Sequence, residues 1–466
     1  MSEWFFRGDY IICASLIIFG LTSFSIAEEK VELLPEVKAL ITPKPLDPEL
    51  LENNRFIALL GATYAKDDYY NVTKIAFAKD YAAIFEALPE ADMLSSEEIS
   101  QIALELKKLD YSQGLLQWED SANFIRTNPL CLEYNDANCI EKTIQNQSNI
   151  QQLLKDNDAL IQRYDDIFSH YPVAHTLFFP REGYIVMPLP AYNYLLNILK
   201  MQLANSVILI SEGKVDQGIE ALMLLQRRIN QMVYLEQKNN LIDVMIAGAM
   251  QQIMDQYLDA LLNSKYSEQL LHHPEFLALM ISGQDYTKHI HQATLLALKH
   301  ESGLAFVLFE PILAVGDLSV AELNDYYVKK SQMEALYQSN PYDSATQKLV
   351  NELCHDVTNN LLVMDCRHPM WQSGYLERND TQRNYHNMVY LKYLMMKNQI
   401  QDKDIAEFIK SQGDLAVDPI TQKPFVWNPD ERSILLSGVQ YKHLPAPIRR
   451  TMNDDAEPKT LQVKLP

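Results

Sequence analysis

The sequence predicts a mainly α-helical fold: an irregular array of antiparallel helical hairpins with a small C-terminal β-hairpin. Three observations carry that prediction. Glycine is scarce, at 14 of 466 residues, and proline is modest at 21, whereas a sheet-rich chain needs turn residues every few positions. Long stretches free of breakers show apolar residues near helical spacing, as in Ile150, Leu153, Leu154, Ile161, Tyr164 and Ile167. Apart from the β-prone GYIVM among the prolines of residues 172–190, turn residues bracketing β-prone runs appear late, around PFVW and SILLS. The length suits two or three domain-sized cores at roughly 150 residues each.

Taken in order, residues 1–27 read as a membrane anchor or a signal peptide. Tyr10 to Ile26 is an uncharged, mostly apolar run, between the roughly 7–15 residues of a signal core and the roughly 17–25 of a spanning helix. Ser25-Ile26-Ala27 offers small residues for cleavage, while Trp4, Phe5 and Phe6 resemble an interfacial aromatic belt that would keep the segment in place. Cys13 follows the bulky Ile12, a poor lipoprotein box. Either outcome exports the body, as an inner-membrane single-pass protein with a periplasmic body or as a soluble periplasmic one.

Residues 28–47 read as a Pro-rich spacer, with Pro35, Pro43 and Pro45 opposing long helices. An N-terminal helical lobe is expected over 48–180. Asp47-Pro48 forms a helix start for ELLENNRFIALLGATYA, followed by NVTKIAFAKDYAAIFEAL, a capped helix after Ser95-Ser96, and one helix over SNIQQLLKDNDALIQRYDDIFSHY. Prolines 172, 180, 188 and 190 mark the boundary to a main helical domain over 181–414. There, ANSVILISEGKVDQGIEALMLLQRR predicts a hairpin, with Gly213 ending one helix and Gly218 allowing the next to cross closely; its turn is similar to that of a tetratricopeptide hairpin. Ala247-Gly248-Ala249 predicts another close helix contact. A small β element follows over 415–444, then a tail over 445–466 in which only TLQVKLP could add an edge strand.

Five cysteines bear on the compartment. Cys131 and Cys139 form one close pair and Cys354 and Cys366 another. The spacings favour two local disulfides; the alternatives are reduced buried thiols, or redox or metal use, for which the CxxC spacing is lacking. Disulfides imply an oxidising compartment. The net charge of −21 belongs to the body, since residues 1–27 carry little of it. Such acidity opposes binding to nucleic acid and to anionic lipid head groups.

Several landmarks together resemble a family of uncharacterised envelope proteins of Gram-negative bacteria. They are the spacer, Leu59-Leu60-Gly61, the pair Cys131 and Cys139, Arg163-Tyr164, Pro188-Leu189-Pro190-Ala191, Met245-Ile246-Ala247, and Asp418-Pro419 with Lys423-Pro424-Phe425. The resemblance implies an envelope topology and a helical fold, and it carries no catalytic residue.

Chemical motifs are sparse. GxSxG, HExxH, GxxxxGK[ST] and GxGxxG do not occur. His289 and His291 point about 200° apart on a helix, and His300 lies on a third face, so a shared metal is not expected. Glu352 and His355 form a lone ExxH, while a di-iron bundle needs two. His272-His273-Pro274-Glu275 reads as a helix stop and restart. Tyr69, Tyr70, Tyr192, Tyr194, Tyr326 and Tyr327 could line a stacking groove or pack helices. No cofactor or metal is expected, and the catalytic residues, if any, are unknown. The expected function is a non-enzymatic envelope accessory or scaffold that presents a helical surface to an envelope protein partner. The alternative is an envelope hydrolase acting on peptidoglycan or glycan through carboxylates.

Overall fold

The computed structural model describes residues 31–42, 44–64, 67–87, 138–178, 189–235, 239–305, 318–339, 344–355, 360–439 and 459–466, with isolated residues 118, 119, 124, 131, 313, 341, 342 and 357. The expected N-terminal anchor, with Cys13, and the helix after Ser95 lie outside these residues. The described part is mainly α-helical, with a three-stranded antiparallel sheet near the C-terminus.

Where a spacer was expected, Pro35 starts the short helix α1 (Pro35–Ile41), whose Val37 and Ile41 are buried. Proline is well tolerated at the first helical position, since its missing N–H needs no partner there. Asp47 caps only a single 3-10 turn, accepting from the Glu49 N–H at 3.0 Å. The helix expected to continue from it is broken at Asn53, which takes φ +52°. Asn54 then caps α2 (Arg55–Leu60) anew. After α3 (Tyr69–Ala87) and α4 (Cys139–Gln145), the single helix expected over 148–171 is two, α5 (Gln147–Asp156) and α6 (Asp158–His170). Asn157 makes the break: its side chain accepts from the Glu119 N–H at 2.8 Å and donates to the Glu119 carbonyl at 3.0 Å.

The predicted hairpin is α7 (Tyr192–Ser211) and α8 (Val215–Gln231). Gly213 has φ +80°; the Lys214 N–H bonds the Leu209 carbonyl at 2.9 Å and the Gly213 N–H the Ile210 carbonyl at 3.1 Å. This Schellman pattern satisfies the last carbonyls of α7. Helix α7 is long and apolar enough to cross a membrane, yet 61% of its most apolar window is buried inside the protein.

Next come α9 (Leu241–Leu262), opened by an Asn240/Asp243 capping box, the short α10 (Ser267–Leu271) and α11 (Pro274–Ala305). The stop and restart at His272 to Glu275 falls between the last two. Helices α12 (Val320–Ser339) and α13 (Ser344–His355) lead to α14 (Asn360–Lys397), which spans 38 residues. A short α15 (Ile405–Ser411) precedes β1 (Val426–Asn428), β2 (Ser433–Val439) and β3 (Lys459–Lys464), in the order β1-β2-β3. The tail thus returns to pair with β2, Ile434 opposite Val463 and Leu436 opposite Leu461.

One hydrophobic core runs from Leu51 to Val463 through α2–α9, α11, α14 and the sheet, so the expected boundary near residue 180 is not a break in the core. A satellite core joins Val37 and Ile41 of α1 to Leu323, Tyr326 and Met333 of α12 and Val350 of α13. Asn324 clips the entering chain there, donating to the Glu32 carbonyl at 2.9 Å and accepting from the Leu34 N–H at 3.0 Å. In the large core, α8 packs on α7 and α11, and α14 packs on α9 and α11.

Candidate functional site

Asn379 to Asn387 read NDTQRNYHN. A polar run in a helix ordinarily marks a solvent face. Here it is the middle of α14, and eight of its nine residues are buried, Arg383 alone being partly exposed. The facing helices answer it. Helix α9 offers Gln251, Asp255, Gln256 and Asp259, all buried, on a mostly apolar element.

The contacts form a register. Gln382 donates to the Gly248 carbonyl; His386 Nδ1 lies 2.7 Å from Asp255 Oδ1; Lys392 Nζ lies 2.7 Å from Asp259 Oδ1 and 2.7 Å from Asn263 Oδ1. Partner numbers rise together, so α9 and α14 run parallel. Against α11 they run in opposition, with Asn379 donating to Thr294 Oγ1 at 2.7 Å and Gln284 reaching Asn387 Oδ1 at 3.3 Å. The Gly248 contact is the close approach the sequence predicted: a Cβ there would stand 3.2 Å from Asn379 Oδ1. Gly283 is stricter. A Cβ on it would fall 2.2 Å from His386 Cε1, so only glycine lets the imidazole into this crossing.

The Asp255–His386 pair is closed, with both side chains at 0% exposure. Burial raises the Asp255 carboxyl above its ordinary range, and the charge and hydrogen bond of His386 oppose that rise. Gln251 extends the pair into α8, donating to Asp255 Oδ1 at 2.8 Å and accepting from Gln226 at 2.6 Å. Burial likewise lowers the Lys392 ammonium, against the pull of Asp259. Breaking such a pair leaves an uncompensated buried charge.

A second pair reaches the surface. His291 Nδ1 lies 2.8 Å from Asp380 Oδ2, with the histidine 27% exposed and the aspartate 0%. Tyr342 donates to the same carboxylate oxygen. Burial first, then Asp380, holds the Tyr342 hydroxyl far above the range in which it would ionise, so it stays a donor.

A third polar knot lies where α2, α7 and α9 meet. Arg55 is buried, donating to the Pro172 carbonyl at 2.7 Å and the Gln231 carbonyl at 2.9 Å, and burial lowers its guanidinium to about 10. Asp243 accepts from Thr176 at 2.6 Å and from the Tyr192 hydroxyl, and burial raises its carboxyl.

The residues singled out in the sequence are distributed otherwise. His289 bonds the Asp285 carbonyl of its own helix at 2.6 Å, and His300 packs edge-on against Phe178, so the three histidines do not converge. Among the described residues, no group of three or more His, Cys, Asp or Glu could hold a metal. Glu352 is exposed and lies 3.7 Å from Lys348. Tyr69, Tyr70, Tyr192 and Tyr326 are buried, and Tyr70 stacks on Tyr171 at 4.5 Å; these four pack helices. Cys131 and Cys139 are bonded, with Cα atoms 4.7 Å apart. Cys354 is also disulfide-bonded, while the side chain of Cys366 lies outside those described.

The landmark motifs are joints. Arg163 donates to the Tyr64 carbonyl at 2.6 Å and lies 4.0 Å over the Tyr69 ring. Tyr164 donates to the Ala191 carbonyl at 3.2 Å. Asp418 accepts from Asn384 at 2.6 Å and from the Thr421 hydroxyl at 2.6 Å, which ties the turn before the sheet to α14. A depression of about 520 Å³ at the end of α14, lined in part by Met395, Ile400, Asp402, Arg432 and Pro466, lies outside the polar layer.

Sequence had shown His291 but not Asp380, Asp255, His386, Asp259 or Lys392. The one local signal was the unbroken polar run Asn379–Asn387 together with carboxylates and glutamines on an apolar α9. Comparison with protein-family models, with curated proteins and with solved structures finds no match.

Proposed function

We propose that this chain is a non-enzymatic envelope accessory or scaffold protein, anchored by residues 10–26 in the inner membrane with a periplasmic body, that presents a helical surface to an envelope protein partner. The observation that carries this reading is the docking of α1. The chain that follows the apolar run Tyr10–Ile26 is no free tether, because Val37 and Ile41 are buried against α12 and α13 and Asn324 clips residues 32–34. Five residue steps separate Ile26 from Val31, a reach of at most about 18 Å. An anchor at residues 10–26 therefore holds the α1–α12 face within a short reach of the bilayer.

Two features weigh against the alternative, a hydrolase of peptidoglycan or glycan. Among the described residues, the carboxyl groups raised by burial, Asp243 and Asp255, are fully enclosed, whereas a glycosidase acid must meet its substrate. The buried pairs Asp255–His386 and Asp259–Lys392 join helix to helix.

The test is site-specific photo-crosslinking of the full-length protein in cells. Probes go at Val328, which is 45% exposed on α12, and at Ile281, which is 46% exposed on α11. The reading expects a discrete envelope protein adduct from at least one position and retention of the chain in alkali-washed membranes. No adduct, together with turnover of a glycan panel by the purified protein, would replace it with the hydrolase. An N-terminus beginning at Glu28 would leave the body soluble in the periplasm and remove the anchor from the reading.

A further inference from the structure

Between α12 and α13 the chain turns back onto the main core through Tyr342. This residue packs with Leu241 of α9, Leu295 and Leu298 of α11 and Leu376 of α14. Its hydroxyl donates to Asp380 Oδ2 of α14, the same oxygen that His291 Nδ1 of α11 reaches at 2.8 Å. The His291 and Tyr342 rings meet edge-on, with centroids 6.3 Å apart. One carboxylate oxygen thus joins three elements. Just after α13, Val357 shares the satellite core with Leu362, near the start of α14. Helix α13 is therefore fastened to α14 beyond both of its ends, and Tyr342 is the fastening on the side of the main core.

The charges at this joint are unequal. Asp380 is at 0% exposure, and its Oδ1 has no hydrogen-bond partner, so among the described residues its side-chain partners are His291 and Tyr342. Tyr342 keeps its proton and supplies a donor without charge. Of the two, only His291 can bring a positive charge, and its 27% exposed ring can exchange a proton with solvent. The surrounding groups do not replace it. Glu377 of α14 and Asp418 before the sheet add negative charge near the Tyr342 hydroxyl. Arg378 lies 5.7 Å over the Tyr375 ring, and Arg383 makes no ion pair with Asp380 among the described residues. On α11, Lys288 is paired with Asp285 at 3.1 Å, and His289 bonds the Asp285 carbonyl. Asp255 of α9 is already bonded to His386. A buried carboxylate without a counter-charge is costly.

We propose that His291, Asp380 and Tyr342 form a pH-sensitive latch, which fastens the α12–α13 hairpin to the main core while His291 is protonated and releases it as His291 becomes neutral. The direction follows from the charges. With an imidazolium at Asp380 the buried pair is neutral overall, and the carboxylate can hold Tyr342 as well. A neutral imidazole still donates from Nδ1 but leaves the carboxylate without a counter-charge. A histidine that gains a carboxylate partner on folding adds stability that is present in acid and lost as pH rises. Asp380 regains hydration when Tyr342 swings out, and that movement uncovers Leu241, Leu295, Leu298 and Leu376.

Hydrogen–deuterium exchange of the full-length protein tests this, at about pH 5.5 and about pH 8.5, either side of the ordinary imidazole range. The readout is the protection of α12 and α13 relative to that of α7 and α8, after correction for intrinsic exchange rates. In the unaltered protein this ratio is expected to fall about fivefold or more from the lower to the higher pH, as a local opening would make it. In His291→Gln, which keeps a donor but carries no charge, the ratio is expected to be low and the same at both values. An unchanged ratio in the unaltered protein overturns the proposal, as does a pH response that survives in His291→Gln. If His291→Gln fails to fold, Tyr342→Phe takes its place: loss of the response supports the latch, and its persistence overturns it.

Discussion

The α7–α8 hairpin and the α9–α11–α14 crossing are both buried helix contacts, built on opposite chemistry. In the hairpin, Val207, Ile208, Ile210, Ile219 and Leu222 fill the contact and are almost wholly shielded from solvent. In the crossing, the corresponding layer is Gln251, Asp255, Asp380, Gln382, Asn384 and His386. An apolar contact is non-directional and tolerates small shifts. A polar layer requires each donor to find its acceptor, since an unmet buried group costs about 1–3 kcal/mol. The crossing therefore specifies which helix faces which, and in what register, more strictly than the hairpin does.

The largest expected effect is in the crossing. Asp255→Ala leaves His386 and Gln251 without their acceptor and should cost about 3–5 kcal/mol, read as a shift in the urea midpoint; a loss below about 1 kcal/mol would mean that the pair adds little. In the hairpin, Leu222→Ala should cost about 2–5 kcal/mol through its cavity, with helix register unchanged by hydrogen exchange. Near the N-terminal lobe, reducing Cys131–Cys139 should cost about 2.5 kcal/mol in the chain-entropy model, measured by thermal unfolding with and without reductant.

The two regions should also differ in their response to pH. Burial holds the Asp255 carboxyl above its ordinary value, so the folded chain keeps that proton to higher pH than the unfolded chain. The contribution is complete below the unfolded range, about pH 4, and is lost as pH rises through the raised folded value. Relative to Asp255→Asn, the unaltered protein should thus lose stability as pH rises from about 4, whereas the Leu222→Ala difference should stay flat. The smallest effect belongs to the surface: removing Lys74–Glu52, a partly exposed pair at 2.9 Å, should cost under about 1 kcal/mol.

The same contrast explains what could be read from sequence. The hairpin was legible because its causes are local: Gly213 at the turn, Gly218 at the crossing, and apolar residues three and four apart. The sheet was legible for the same reason, including the return of TLQVKLP as β3. Two helix breaks were missed because single asparagines made them, Asn53 by a left-handed backbone and Asn157 by a bond to residue 119 across the fold. The polar crossing was missed because polar residues in a helix read as solvent-facing, and because Asp255 and His386 stand 131 positions apart. His291 was noticed as part of a histidine group, yet its partner was Asp380 on another helix. Distance in sequence hid the site, although both halves were in plain view as residue types.

The most direct measurement of whether this polar layer holds the helices as a unit is a double-mutant cycle on Asp255→Asn and His386→Gln, followed by urea unfolding. A coupling energy of about 1.5–3 kcal/mol is expected for residues in one buried network. Losses that add to within about 0.5 kcal/mol would contradict it and leave the apolar packing alone to specify the crossing.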